Sequence, residues 1–574
     1  MILDRIHLAL RIALGAAGFP EEEGRVDFSD RPDLCDFQTN CAFALAKKAR
    51  VNPLLIAQKI ADAFVCDGVN VACVKPGFIN FSVESEQFAR DLLAICGDER
   101  CGAGLTTIPK RILIDYGGPN IAKPLHVGHL RSAVIGECLK RLAKFLGHDV
   151  LGDIHLGDWG KQMGLVILGL MEKFDLHHYF DDTPDEPVAP PFHVDDFEEI
   201  YPWASARAQT DKTYEARAQD ITFRLQNHER GYYQIWRDIC RLSIEDIKAD
   251  YLLLDVSFDL WYGESTCDAY VDPLLERLIE EGYAHESEGA LILEVEEDGD
   301  DHPMPPVILR KSSGAQVYAS TDLATLVQRR EMMRPDEIWY VVDGRQKLHF
   351  QQVFRAAVKT GVMPESTKLI HVPFGTVNGP DGTPFKTREG GVMRLRDLID
   401  MVLQAAAAKS PLAAGDPEVA RKIGVAALKF GDLINNRGRN YIFDLDKFLR
   451  FEGKTGPYIQ YTVARINSLF IKAGGPPTVD GAICLNDSLF TRIVIHIYKL
   501  NLSYEQAFDA KLPNLICDAC FGLANAFNEM YDKYRILTQT DATLKNTLLT
   551  LCYTVRKCLI QALTILGIDF LEQM

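Results

Sequence analysis

The 574 residues contain no apolar run approaching the roughly 18 needed to span a bilayer, and the opening Met1-Ile-Leu-Asp-Arg-Ile-His7 is too charged for a secretory signal core. Those absences lead to the expectation of a cytoplasmic protein. Fourteen cysteines are scattered along the chain, and the one close pair with ligand-like spacing, Cys517-Asp-Ala-Cys520, has no second pair near enough to complete a tetrahedral site. Small thiols in a helical pattern are ordinary core residues, so no metal and no structural zinc is expected there. Positive charge is also short, with a net charge of −18. Its distribution is uneven: residues 181–300 hold nine basic and 31 acidic residues, a local charge of −22, leaving +4 for the rest. Residues 411–574 hold 18 basic against 16 acidic residues, gathered at Arg421-Lys422, Arg437, Arg439, Arg450, Arg465 and Arg556-Lys557. Affinity for a phosphate backbone follows local positive faces rather than total charge, so an RNA partner stays compatible with this chain. The acidic block reads as a solvated face turned away from such a backbone. A hydrophobic content of 47% and a charged content of 25% are those of a globular protein, and the length implies several domains.

The most informative segment is His126-Val127-Gly128-His129. It follows the strand-like run Arg111–Asp115 and opens a helical stretch reaching Leu146. Helix N-terminal amides point at an anion, Gly128 allows a nucleotide to approach the backbone, and imidazoles donate to phosphoryl oxygens. Four residues alone would match by chance. The context is long, however: Asp115-Tyr-Gly-Gly-Pro-Asn120-Ile-Ala-Lys123-Pro-Leu-His126-Val-Gly-His129-Leu-Arg-Ser132, then Leu156-Gly-Asp-Trp-Gly-Lys-Gln162, Val317-Tyr318-Ala-Ser-Thr-Asp322, Phe385-Lys386-Thr387-Arg388 and Gly456-Pro-Tyr458-Ile-Gln-Tyr461. Together these resemble the signature segments of class I arginyl-tRNA synthetases, in the family's order. Asp36–Asn40 and Pro76–Phe81 extend the resemblance over nearly the whole chain.

Alternation of strand and helix patterns predicts an α/β fold, a doubly wound parallel Rossmann-like sheet with its ligand at the carboxyl ends of the strands. Residues 1–105 form an N-terminal α+β unit, with helical patterns over Leu3–Ala17 and Gln38–Phe64 and a strand at Phe78–Val83. Residues 106–180 carry the first half of the sheet, with strands Arg111–Asp115 and Asp149–Ile154 and helices Val127–Leu146 and Gly160–Phe174. Residues 181–305 are the acidic insertion, similar to the connective peptide of class I synthetases. Residues 306–405 return with helix Asp322–Arg330, strand Glu337–Val342, helix Leu348–Lys359 and strand Lys368–Pro373. Beyond residue 405 β-like alternation disappears, and helical spacing from Val419 to Ile568 predicts an all-α bundle over 406–574.

The resemblance implies ATP-dependent ligation of L-arginine to tRNA through an arginyl-adenylate, with Mg2+ accompanying ATP. The nucleophile is a carboxylate already ionised, so positioning and charge stabilisation are the protein's task. His126, Gly128 and His129 are assigned to ATP, joined by Lys386 and Arg388 on a glycine-flanked loop. Thr387 stands where the class I catalytic lysine would be, and Lys123 is the candidate to replace its charge. For arginine the matching residues are Asp115, Asn120, His126, Tyr318, Asp322 and Gln346. A planar guanidinium calls for a facing carboxylate, so Asp115 and Asp322 are assigned to it, with Tyr318 beside them and Asn120 and Gln346 on the α-amino and carboxylate groups. Asp322 has a rival role as a helix N-cap.

By the same resemblance the N-terminal unit contacts the tRNA elbow, with Phe78 for stacking and Asn80 for hydrogen bonding. Phe78 as a core residue is the competing reading. Tyr458, Tyr461 and Arg465 combine rings with a cation at helical spacing, fit either for tRNA or for a helix core. The chain ends Phe570-Leu-Glu-Gln-Met574, without the arginine that family members often carry there. A monomer is expected. Two other classes compete: a nucleotidyltransferase acting on a small acid without RNA, and a retired synthetase paralogue serving as a binding module. The first leaves the N- and C-terminal units unexplained; the second has no need of His126, His129, Lys123, Asp115 and Asp322 together.

Overall fold

The computed structural model describes residues 1–181, 189–312, 317–379, 381–383, 385, 393–477 and 482–573. The N-terminal unit is α1 (Ile2–Ala16), β1 (Asp27–Phe28), β2 (Phe37–Thr39), α2 (Cys41–Ala49), α3 (Pro53–Ala63), β3 (Val69–Val74), β4 (Phe78–Val83) and α4 (Ser85–Gly97). Its four strands pair antiparallel in the order β1-β2-β4-β3. The helical stretch expected over 38–64 is broken into β2, α2 and α3, because Asn52 caps a new helix that Pro53 opens.

The central sheet is built from β5 (Arg111–Tyr116), α5 (Val127–Phe145), β6 (Asp149–Asp153) and α6 (Lys161–Lys173). An insertion follows: α7 (Val194–Thr210), α8 (Lys212–Gln226), α9 (Arg230–Leu253), α10 (Glu264–Glu280) and the antiparallel strands β7 (Ala284–Ser287), β8 (Ala290–Leu293) and β9 (Val307–Arg310). This small sheet continues past residue 305, because β9 pairs with β8. The central sheet resumes with α11 (Tyr318–Met333), β10 (Glu337–Val341), α12 (Lys347–Lys359) and β11 (Lys368–His371). Its order is β11-β10-β5-β6, all parallel. The chain therefore leaves β5 toward one edge and returns on the other side, so the gap between β5 and β10 at their carboxyl ends is the switch point where such sheets bind ligands.

Period-two alternation divides the sheet between two cores. Ile112, Ile114, Tyr116, Trp339 and Val341 face one, with α5; Leu113, Ile338 and Tyr340 face the other, with α10, α11 and α12. At Gly136 of α5 an added Cβ would lie 2.2 Å from the Tyr116 ring, so helix and strand pack that closely only with glycine there.

The C-terminal part comprises β12 (Val377–Asn378), α13 (Leu395–Lys409), α14 (Pro411–Gly415), α15 (Pro417–Leu433), β13 (Tyr441–Ile442), α16 (Leu445–Phe448), α17 (Gly456–Ala473), α18 (Ser488–Ala510), α19 (Asn514–Lys533) and α20 (Ala542–Ile565). The expectation of helix alone after residue 405 misses β13, two residues pairing parallel with β12; so short a strand has no periodicity to read. Arg131 of α5, buried to 1%, donates to Asp432 of α15 and to the carbonyls of Gly375 and Arg439, locking the bundle to the sheet. By length and composition α20 is apolar enough to cross a membrane, with a mean hydropathy of 1.3, although Arg556 and Lys557 interrupt any unbroken apolar run; 61% of that window is buried inside the molecule. Cys517 and Cys520 lie fully buried in α19, where burial pushes the Cys520 thiol up to about 12.

Candidate active site

The turn after β5 brings the motif to the switch point. Gly117 has a left-handed φ of 72°, and its amide donates to Ser132 Oγ, which in turn donates to the Val341 carbonyl at the end of β10. His126 is the N-cap of α5: its Nδ1 accepts from the Gly128 amide at 3.0 Å, and His129 Nδ1 accepts from the His126 amide at 3.0 Å. A Cβ at position 128 would lie 2.7 Å from His126 Cε1, so glycine leaves room for the capping ring. The two rings lie 3.9 Å apart. Crowding around the rings lowers both pKa values, and His126 adds to the effect on His129, which falls to about 3. Both imidazoles are therefore neutral at pH 7. Lys123 holds its ammonium 4.3 Å from the Tyr201 ring of α7, placing it against the insertion. Lys386, Thr387 and Arg388 lie outside the described residues.

In the register of the sheet Asp115 stands beside Asp153 of β6 and Tyr340 of β10, a row across three strands. Arg329 of α11, 1% exposed, donates to Asp115 Oδ2 and Asp153 Oδ2, both at 2.6 Å, and to Tyr340 Oη at 3.0 Å. The charge of Asp115 is thus met by a guanidinium of the chain itself. Burial works against the Arg329 charge, but Tyr340, Asp115 and Asp153 hold it firmly cationic. Burial raises the Asp153 carboxyl, with Arg329 opposing. Asp115 is thus anchored at the floor of the site, with Oδ2 engaged by Arg329. Nothing short-range in the sequence links positions 115, 153 and 329, so no motif could have found this cluster.

Tyr318 and Asp322 sit one turn apart on α11, as their spacing suggested. The helix starts at Tyr318 with Val317 as N-cap, which removes Asp322 from a capping role. Its Oδ2 meets His349 Nε2 of α12 at 2.5 Å, and this bond raises the His349 pKa. Tyr318 is 72% exposed. A further carboxyl was absent from the sequence reading: Glu264, first residue of α10, whose amide bonds the Leu156 carbonyl beyond β6. Burial, then the proximity of Asp158 and Asp322, pushes Glu264 up to about 8; partial burial, then Glu264, Tyr201 and Asp322, raises the Tyr318 phenol. Glu264, Tyr318 and Asp322 thus form one acidic wall. Asn120 is exposed in the turn, bridged to Gly157, and Gln346 is exposed at the start of α12.

The remaining assigned residues lie on two other faces. Phe78 and Asn80 occupy the half-exposed side of β4, opposite the buried Ile79 and Phe81. Phe78 packs edge-on against Phe43, with centroids 5.0 Å apart, so it is not among the core residues of its strand. On α17 and α19, Arg465 donates to Asn528 Oδ1 at 2.9 Å and to Tyr461 Oη at 3.1 Å, between the Tyr461 and Tyr531 rings; Asn528 donates to Tyr458 Oη at 2.8 Å. Leu571 and Glu572 dock on α17, where Asn467 donates to both of their carbonyls.

Comparison with known proteins agrees with this layout. Residues 95–445 match the family described as tRNA synthetases class I (R), catalytic domain; residues 459–574 match the DALR anticodon binding domain, and residues 3–83 the arginyl tRNA synthetase N terminal domain. The arginine--tRNA ligase of Alkaliphilus oremlandii is 43% identical over the full length of both chains, and that of Agathobacter rectalis is 42% identical over 98% of each. The crystal structure of arginyl-tRNA synthetase from Plasmodium falciparum shares the fold, with a TM-score of 0.82 and 22% identity, covering 100% of this chain and 99% of that one.

Proposed function

This chain belongs to the arginyl-tRNA synthetase family, and from that premise we propose how its residues perform arginine–tRNA ligation. The reaction couples L-arginine to tRNA through an arginyl-adenylate formed from ATP, releasing pyrophosphate and then AMP. The observation that carries the assignment is the cluster of Glu264, Tyr318 and Asp322: Glu264 is held at Leu156, just beyond the carboxyl end of β6, and the histidine motif follows the carboxyl end of the adjacent β5.

The guanidinium of arginine is read by Asp322 and Glu264. His349 orients Asp322 through Oδ2, leaving Oδ1 toward the substrate. Glu264, pushed up to about 8, is a carboxyl that ionises when a cation arrives, since an opposite charge favours its charged form. Tyr318 closes the side, and Asn120 and Gln346 hold the α-amino and carboxylate groups. Neutral His126 and His129 present N–H donors to the triphosphate, and Gly128 admits the nucleotide. The arginine carboxylate attacks the α-phosphorus, its oxygen forms the new mixed-anhydride C(O)–O–P bond, and the electron pair of the broken P–O bond leaves with pyrophosphate. Lys123, with Lys386 and Arg388, supplies the charge that Thr387 does not. ATP enters with Mg2+, its usual companion.

The tRNA lies along Phe78 and Asn80 of the N-terminal unit and the Tyr458, Tyr461 and Arg465 edge of the helical bundle. The units are taken as 1–105, 106–180, 181–305, 306–405 and 406–574, in a cytoplasmic monomer. ATP–pyrophosphate exchange, run with each amino acid and with or without bulk tRNA, tests the reading. Exchange specific to arginine and charging of tRNA with arginine are expected; exchange with another amino acid, or none with any, overturns it.

A further inference from the structure

We propose that Arg394 is a phosphate-binding residue of the ATP site, held against Glu198 until the nucleotide displaces that carboxylate. The proposal rests on the adenylation reading above and goes beyond it by assigning a residue and a competing internal partner.

Residues 393–395 run antiparallel to the segment that opens the histidine motif. The Val127 amide donates to the Met393 carbonyl at 3.1 Å, and the Leu395 amide donates to the Leu125 carbonyl at 2.8 Å. Those two bonds flank His126 and Arg394, which face each other as a bridge pair. A pair enclosed in this way exchanges no hydrogen bonds of its own, and its side chains leave the backbone on one face, closer together than in the alternating kind of pair. Arg394 therefore emerges beside His126, the residue that caps the phosphate-facing helix. Lys123 lines the same cavity as Arg394, and its charge adds to burial in lowering the His126 pKa. This cavity, of about 170 Å³ and next to Leu125, is lined by both cations and Arg396, which face four carboxylates, Asp195 and Glu198 of α7 and Asp246 and Asp250 of α9.

The guanidinium is ion-paired with Glu198. The Arg394 side chain is 44% exposed and that of Glu198 22%, and an ion pair that stays in reach of water contributes less than a buried one, so exchanging one anion for another costs little. A triphosphate offers more charge and a geometry that a guanidinium meets with two parallel bonds. The neighbouring Arg396 is different: its partner Asp250 is a buried side chain at 2.5 Å, and it lies inside α13 rather than opposite the motif. Sequence reasoning fixed on Lys123 because it precedes His126 by three residues; Arg394 follows by 268 positions and reaches His126 only through the antiparallel bridge.

Equilibrium titration of the full-length protein with ATP, without arginine, tests the proposal separately from the amino-acid assignment. Arg394→Ala is expected to weaken ATP binding by about tenfold or more, the range of one charge-assisted contact, with Arg394→Lys between it and the unaltered protein. Glu198→Gln is expected to tighten ATP binding several-fold, an effect in the direction that misfolding cannot produce. In the double variant that gain disappears. ATP affinity within twofold of the unaltered protein in Arg394→Ala, or a Glu198→Gln gain that survives in the double variant, overturns the proposal. Failure of arginine-dependent exchange with ATP binding intact would instead overturn the amino-acid reading and leave these affinities to be judged on their own.

Discussion

The proposed phosphate side and the proposed guanidinium side of this site are built in opposite ways. Lys123, His126, Gly128 and His129 come from seven consecutive residues, and their geometry follows from one strand–turn–helix junction with its own capping bonds. Glu264, Tyr318, Asp322 and His349 come from three helices, and they converge only because α10, α11 and α12 pack on the same face of the sheet. Beneath both lies Arg329, which balances the aspartates of two adjacent strands and so holds the floor that the two sides share. A local site tolerates little change in the residues it contains; an assembled site is also vulnerable to changes in residues that never touch substrate.

The strongest test of that contrast is Arg329→Met. Removing the cation leaves Asp115 and Asp153 facing each other in a buried row, with an expected loss of about 3–5 kcal/mol of stability. Denaturant unfolding measures it, and a loss below about 1 kcal/mol would mean that the floor relaxes without its guanidinium. His129→Ala acts locally. Adenylation is expected to slow by ~10²-fold or more with tRNA affinity nearly unchanged, and single-turnover kinetics with unaltered turnover would remove the motif from the chemistry.

Asp322→Asn probes the assembled side. Arginine use is expected to fall by roughly ten- to a hundredfold, the range of one charge-assisted bond, while citrulline gains on arginine because an amide pairs with its neutral oxygen. An unchanged arginine-to-citrulline preference would assign the guanidinium elsewhere. A pH series separates Glu264 from its neighbour. Its carboxyl titrates near 8, and a guanidinium binds its ionised form, so the KM for arginine is expected to fall by about tenfold between pH 7 and pH 9. The slope should vanish in Glu264→Gln; a slope that persists there belongs to another group. The smallest effect is expected at Arg465→Ala, where the KM for tRNA rises a few-fold and the salt dependence of binding weakens by about one phosphate contact. A lowered melting temperature with tRNA binding unchanged would make the ring-and-amide cluster a packing feature alone.

The strands and helices of the central sheet were legible because each repeats a simple period: Ile112, Ile114 and Tyr116 alternate with Leu113 and Asp115, and the termini of β5, α6, β10 and α12 fall within about two residues of the pattern. The sequence also determined the local geometry of the proposed phosphate side, since a helix N-terminus, a glycine and two imidazoles are joined by bonds that reach no farther than three residues. Tertiary structure alone decided that Asp115 pairs with Arg329, that Asp322 is an interior helix residue joined to His349, that Glu264 lies near Asp322, and that Arg394 stands opposite His126. The physical reason is range. Capping and periodicity are set by neighbours along the chain, whereas the partner of a buried charge is set by whichever element packs against it, and positions 115 and 329 become neighbours only when α11 covers the row across β5, β6 and β10.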